Sequence, residues 1–535
     1  MELQISTTST STSTSNAFLL YVSAAVFAVV WYALFSRWRH NRVSPPLPPG
    51  PTGLPLVGSL PFVDLELHSY LGRLARTYGP IYLIKIGQMV GVVITSPALA
   101  REVLRDHDNT MANHEPLATA KVITYGGNDI VWAPNGPTWR MLRRVCVHEV
   151  LSPMSLDAVY HLRRREVRAA VGELYANAAA AKAAAVVDVG PMVLQTILNV
   201  LMGMLWGATI EEEERAHIGR EFREVIEEIV EQLGQPNIGD FFPALVRFDL
   251  QGLQAKMGKL LDRFDVMFTS IIDRKKKMEA AAAAAGKKEA AAGKDFLHFL
   301  LKLEAEGGDS KAPFTMTHVK ALLVDMVLGG SDTTANTIEW AMAETIANPE
   351  IMRRVQEELD QVVGKGNVLE ESHMTKLHYL GAVVKEVLRL HPPFPILVPH
   401  TPSSPCVVGG YTVPQGSRVI FNAWAIHRDP SIWEDPLVFK PERFLDTGNG
   451  GIEFNGKDFS YLPFGSGRRI CAGIPLAERM TTLLLGSLLH SFDWKVPEGT
   501  KLDLSEKFGI VLKMTKPLVA IPTPRLPNPE QYAQT

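Results

Sequence analysis

The sequence predicts a mainly α-helical fold with small β-sheets, carried behind one N-terminal transmembrane helix, and three observations predict it. From about residue 138 to 390 helical patterns dominate, short β-branched runs flank that stretch, and an uncharged apolar run stands near the N-terminus. Strands and helices do not alternate regularly, which argues against an α/β chain.

The 535 residues exceed a usual single domain, yet no interior stretch reads as a linker, so one large body behind an anchor is expected. Lys and Arg number 54 against 57 Asp and Glu, a formal net charge of -3 that excludes a general nucleic-acid binder. The three cysteines, Cys146, Cys406 and Cys471, lie far apart without CxxC spacing. That pattern suggests neither a disulfide framework nor a structural zinc site, and it suits a reducing compartment.

Residues 1–16, with Ser/Thr-rich Ser6 to Ser15, read as a disordered lumenal tail, since a transit peptide would carry arginine. Ala17 to Phe35 is an uncharged run of 19 residues, which as a helix spans roughly 29 Å and matches a bilayer core. Glu2 precedes it and Arg37, Arg39 and Arg42 follow, so the positive-inside rule keeps the remainder cytosolic, anchored in the endoplasmic reticulum membrane. The run is long for a cleaved signal and has no basic residues ahead of it. Residues 36–52, basic and then Pro-rich from Pro45 to Pro51, form a stiff hinge, and residues 53–535 form the body.

Within the body, Ile81 to Ile86 and Val90 to Ile94 give a hairpin signal, and Ser96-Pro97 opens a helix. One helix opens at Asn348-Pro349 and stops near Gly364; another runs from Leu380 to Leu390 before Pro392-Pro393. Strands return at Cys406 to Val408 and Val419 to Phe421. The Ala-rich tracts Ala178 to Ala185 and Ala280 to Ala292 read as surface connections.

The most informative stretch is Phe464 to Gly473, which fits FxxGxRxCxG with Phe464, Gly467, Arg469, Cys471 and Gly473 at its fixed positions. Glycines there let the backbone approach a flat ring closely, and amides left unpaired by the loop can point at the sulfur. The segment resembles the haem-ligand loop of the cytochrome P450 superfamily. That resemblance implies a P450 fold, haem b (iron protoporphyrin IX) as cofactor, Cys471 as its metal ligand and a monooxygenase activity. Cys146 and Cys406 are left as buried free thiols. Haem carboxylates need cationic partners, and arginine meets a carboxylate bidentately. Arg469 is the partner within the loop. Trp139 and Arg143 resemble the WxxxR helix of the family, and His400 stands where the family contacts the second carboxylate.

Ala321 to Ile346 reads as one helix, and its Gly329-Gly330-Ser331-Asp332-Thr333-Thr334 resembles the [AG]GxDT[TS] segment of the family. Two glycines and several hydroxyls predict a local distortion that makes room for O₂. The resemblance gives Asp332 the role of proton-supplying acid and Thr333 that of orienting hydroxyl, as the two catalytic residues. Asp325 and Met326, one to two turns earlier, border the substrate by position, or Asp325 is a structural partner. Glu386 and Arg389 form the ExxR pair of the family; with Arg443 from Pro441-Glu442-Arg443-Phe444 they are expected to form a buried structural network. His427-Arg428-Asp429 has no kinase context, and His148-Glu149 lacks the second histidine of a zinc protease helix.

No flavin or nicotinamide fingerprint occurs, so electrons are expected from a separate NADPH-cytochrome P450 reductase, with Arg140, Arg144 and Arg468 as a possible basic patch for it. The body resembles the plant microsomal type, and Pro475-Leu476-Ala477-Glu478-Arg479 resembles a subgroup that oxidises terpenoids and flavonoids. The other partners implied are a small apolar substrate, O₂ and membrane lipid, with no nucleic acid. Segments 117–131, 241–245, 394–398 and 508–511 are expected around the pocket. A haem-thiolate isomerase or dehydratase on the same fold is the first alternative, which the intact Asp332-Thr333 opposes; a non-catalytic haem-binding membrane protein is the second.

Overall fold

The computed structural model describes residues 44–535 except 181–184, 211, 285–294, 310–311, 446–450, 528 and 533–535; before residue 44 it describes only 18, 20–24 and 27. Those early positions are helical, with Phe18, Leu20 and Tyr21 exposed. Most of the expected membrane span, the lumenal tail and the basic part of the hinge lie outside the described residues. The Pro-rich part is docked on the body: the Pro46 and Pro49 carbonyls accept from the Thr412 and Leu83 amides at 2.8 and 2.7 Å.

The β-branched runs form the expected hairpin, Ile81–Ile86 (β1) antiparallel to Met89–Ile94 (β2). Their sheet is completed by Asn113–His114 (β3), His400–Thr401 (β4) and Arg418–Phe421 (β5), in the order β1-β2-β5-β4-β3 with β5 parallel to β2. This sheet sets His114 opposite His400 across one strand pair, although 286 positions separate them. Ser96 precedes the helix at Pro97 as expected, but its side chain makes no capping bond.

The helical body is built on Pro137–Val145 (α1), Val189–Trp206 (α2), Met316–Ala347 (α3), Pro349–Val362 (α4), His378–Leu390 (α5) and Ile474–Ser491 (α6). Among the described residues α2 is the one helix long and apolar enough to cross a membrane, yet it is 67% buried and lies along α3. Apolar residues all round a helix are what a core element requires, so α2 is a core helix. The α3 helix starts at a capping box between Thr315 and His318 and packs on α2, α5 and α6. The starts of both Ala-rich tracts, residues 178–180 and 280–284, prolong the helices Tyr160–Ala180 and Leu253–Ala284, and nearly all of the rest lies outside the described residues. Alanine has the highest helix propensity, and each tract follows an established helix.

The expected distortion of α3 is not present: the helix runs unbroken through residues 329–334. Ser331, Thr333 and Thr334 donate to the Val327, Gly329 and Gly330 carbonyls one turn back, at 2.6, 2.9 and 3.2 Å. Each hydroxyl uses a spare lone pair on its carbonyl and leaves the helical ladder in place. Room arises from the missing side chain at Gly329, where an added Cβ would meet nothing within 4 Å.

Glu386, fully buried on α5, accepts two bonds from Arg389 at 2.7 and 2.8 Å, one from Arg443 at 3.1 Å and one from the Lys440 amide at 2.8 Å. Arg389 also donates to the His427 and Pro436 carbonyls at 2.6 and 2.8 Å. One carboxylate therefore holds α5 to the segment that leads to Cys471. His427 extends the link: its Nδ1 lies 3.2 Å from the Arg389 carbonyl, and its Nε2 accepts from the Leu462 amide at 2.8 Å. Removing one partner of such a network strands a buried charge, so Glu386→Gln is expected to lower stability by about 3–5 kcal/mol, read from the urea midpoint. Burial, with Arg389 and Arg428 nearby, lowers the His427 pKa to about 3. A depressed histidine pKa stabilises above the unfolded value of about 6.5 and loses that contribution as pH falls towards the folded value. Urea midpoints should therefore decline from about pH 6.5 downward, and His427→Gln should flatten that decline.

Candidate active site

A cavity opens between α3 and the cysteine loop. Along α3 its wall is Asp325, Gly329 and Thr333 on one stripe, with Met326, Gly330 and Thr334 beside them. That is the i, i+4, i+8 register of one helix face. Ile130 and Val131 close one side, Phe394, Leu397 and Val398 another, and Phe464 to Gly473 bring Cys471 to the floor. Most of the remaining surface is apolar, as a site for a flat macrocycle and an apolar substrate requires.

The cysteine loop is shaped by its backbone. The Cys471 amide donates to the Phe464 carbonyl at 3.0 Å, and the Gly473 amide points at Cys471 Sγ from 3.3 Å. Gly467 adopts φ +68°, and a Cβ there would lie 2.5 Å from the Leu104 carbonyl oxygen, so glycine is required. Cys471 is exposed, and its exposed surface faces the cavity, whereas Cys146 is buried in the core. Burial pushes the Cys471 thiol up, while the Gly473 amide, Arg143 and the Ile474 amide pull it back.

Around this floor stand the expected carboxylate partners. Arg143 Nη2 donates to the Ile470 carbonyl at 2.6 Å and faces the Trp139 ring at 5.8 Å; Trp139 Nε1 donates to the Ile130 carbonyl at 3.1 Å. Arg469 lies over the other side of the site, 4.2 Å from the Trp139 ring, donating to the Ala112 and Ala133 carbonyls at 2.6 Å. His400 Nδ1 is 2.7 Å from the Met111 carbonyl, so that nitrogen carries the proton. Burial lowers its pKa to about 4. The family motifs and the structure thus bring Trp139, Arg143, His400, Phe464, Arg469, Cys471 and Gly473 to one cavity or its immediate rim.

Asp332 departs from expectation. It does not line the cavity; Lys513 Nζ holds its Oδ1 at 2.7 Å on another face of α3. The wall takes Thr333 and its successor Thr334, and Asp332, about 100° back from Thr333, is turned away from it. The Asp332 Oδ2 is buried without a partner among the described residues. Segments 241–245 and 508–511 also fall outside the wall: Phe241 packs on the β-hairpin cluster, and Phe508 stacks on His68 at 5.5 Å. All three residues of the suggested basic patch, Arg140, Arg144 and Arg468, are exposed, and Arg468 is paired with Asp108 at 2.8 Å.

Sequence reasoning missed His114. Its Nδ1 lies 2.6 Å from the Val131 carbonyl and its ring meets that of His400 edge-on at 4.8 Å. Its Nε2 is buried without a partner among the described residues, and with Nδ1 bonded to a carbonyl it could receive a carboxylate of a bound group only on gaining a second proton. Among the described residues no cluster of three or more His, Cys, Asp or Glu could hold a bare metal ion. An ion here needs a macrocycle for its other ligands, and one thiol with basic residues around an apolar floor fits haem.

The Cytochrome P450 family model matches residues 48–521. A flavonoid 3'-monooxygenase of Arabidopsis thaliana is 38% identical over 520 residues, covering 96% of this chain and 98% of that one. A geraniol 8-hydroxylase of Catharanthus roseus is 37% identical over 513 residues, covering 95% and 99%. Among solved structures, a zebra fish cytochrome P450 with progesterone superposes with a TM-score of 0.71 at 26% identity, covering 86% of this chain and all of that one. With a thiol-floored cavity under a Gly- and Thr-bearing helix, and near full-length similarity to such proteins, the chain belongs to the cytochrome P450 family and is a haem-thiolate monooxygenase.

Proposed function

We propose that this monooxygenase hydroxylates a terpenoid or flavonoid-type metabolite, drawing NADPH-derived electrons from a separate reductase while anchored in the endoplasmic reticulum membrane by residues 17–35. The observation that carries the reading is Cys471 opening onto an apolar cavity whose facing helix presents Gly329 and Thr333. The relatives that act on flavonoids and on geraniol support the substrate class. The reaction takes O₂, two electrons and two protons, and yields an alcohol and water.

Haem held through Cys471 supplies the redox chemistry of O₂, and a thiolate ligand favours O–O cleavage in enzymes of this class. The chain does the rest. The Gly473 amide and Arg143 offset the burial of the sulfur and favour its ionised form. Arg143 and Arg469 would receive its carboxylates and orient it, with Trp139 filling the space between the two arginines, and His400 and His114 would join them only when Nε2 is also protonated. Thr333 holds its hydroxyl at the cavity through the Gly329 carbonyl and passes a proton inward. Asp332, paired with Lys513 on another face of α3, supplies protons to the cavity only after its side chain turns or through water. Arg140 and Arg144 offer exposed positive charge to an acidic electron donor.

The reduced, carbon monoxide-treated protein should absorb with the band of thiolate-ligated haem, and Cys471→Ser should abolish that band; a wild-type protein that is folded, iron-replete and without it would sink the reading. Thr333→Ala should keep the haem content but lower product formed per NADPH consumed by roughly 10–100-fold, measured as NADPH loss against product. Arg140→Glu with Arg144→Glu should slow reduction by the reductase several-fold at low salt, the two proteins converging as salt screens the charges.

A further inference from the structure

The cavity wall contains one carboxylate among its described residues, Asp325, in surroundings made by Ile130, Met326, Phe394, Leu397 and Val398. Its Oδ2 accepts the Ile130 amide at 2.8 Å, and the carboxyl of Asp129, next to Ile130 in the chain, lies near enough to act on it electrostatically. Asp129 is wholly buried: its Oδ1 accepts the Trp132 amide at 3.1 Å, and its Oδ2 has no partner among the described residues. Two neighbouring carboxyls in a poorly solvated, mostly apolar setting cannot both ionise without a large cost. Burial first, and Asp129 next, raise Asp325 well above the ordinary range, and burial raises Asp129 to about 6. Both shifts favour a protonated carboxyl within the pair, which offers a donor beside its acceptors.

A structural role alone would need Asp325 only to tie the 129–132 loop to α3, and a group turned into the core would serve that. Asp325 instead reaches the cavity, on the same stripe as Gly329 and Thr333. Eight residues of helix place it about 12 Å along α3 from Thr333. A neutral hydroxyl both donates and accepts and so matches the pair, whereas a carboxylate would add a second negative charge to a poorly solvated site.

We infer that Asp325, backed by Asp129, is a specificity-determining residue that anchors a neutral hydroxyl of an elongated, otherwise apolar substrate at the end of the cavity remote from the reacting carbon. This rests on the monooxygenase reading above and adds which end of the substrate is held and by what.

The test uses the full-length, haem-loaded protein in lipid nanodiscs, titrated while the haem absorbance is followed. The probes are geraniol with geranyl methyl ether and geranylamine, and 7-hydroxyflavanone with its 7-methyl ether. Wild type should bind at least one free hydroxyl compound about tenfold or more tighter than its ether. Asp325→Leu should bring that ratio to within about twofold while leaving ether affinity unchanged, and Asp325→Asn, which keeps a donor and an acceptor, should retain most of the preference. Equal binding of alcohol and ether in both wild-type pairs overturns the inference, and needs no variant to fold. So does a parallel loss for alcohol and ether in Asp325→Leu, which marks a loop-tying role, or tighter binding of the amine than of geraniol, which marks recognition of positive charge. A protein that shows the thiolate band but no hydroxyl preference loses only this anchor; one without the band loses the monooxygenase reading itself.

Discussion

The arrangement of the site depends on one buried carboxylate. Glu386 gathers two guanidinium groups and a backbone amide in a region without water, where leaving any of them alone would be severe. The partners come from α5 and from residues 440–443, so satisfying that charge fixes how the segment before Cys471 leaves the helical core. Through Arg389 and His427 the same constraint reaches the Leu462 amide, two residues short of Phe464, whose carbonyl in turn holds the Cys471 amide. The sulfur is positioned by a chain of polar contacts that never touches it.

On the opposite wall, α3 combines three tasks that require different faces. One stripe, from Asp325 through Gly329 to Thr333, gives the cavity its depth and its few polar points. Another carries Asp332 to Lys513, and a third packs on α2, where Gly330 approaches Leu201 so closely that an added Cβ would lie 3.3 Å from its methyls. The run of small residues in this helix is thus divided between close packing and open space.

What the sequence disclosed tracks how local the chemistry is. The loop of Cys471 was legible because its requirements, glycines and an arginine at fixed offsets from one thiol, lie within ten residues. Glu386, Arg389 and Arg443 were legible as a set because each charge needs another charge. His427 was not, because its partners are backbone groups of Arg389 and Leu462, more than thirty positions away in either direction. His114 escaped notice for the same reason: its place beside His400 is made by strand pairing that no short motif encodes. The facing of Asp332 depended on how α3 is rotated in its packing, which spacing along the helix alone does not set. The unbroken course of α3 shows the limit of propensity, since packing on α2 outweighs the cost of its glycines.

The burial of α2 also bears on the order of events during synthesis. As the chain emerges, Val189–Trp206 is a greasy segment of nearly membrane-spanning length, and α3, which covers it, begins more than a hundred positions later. Until that helix arrives, the ribosome-bound intermediate leaves this apolar surface uncovered and open to wrong associations. The delay before α3 docks therefore sets how long the apolar face of α2 stays open during synthesis, so the spacing of this pair along the chain governs its exposure as well as its packing.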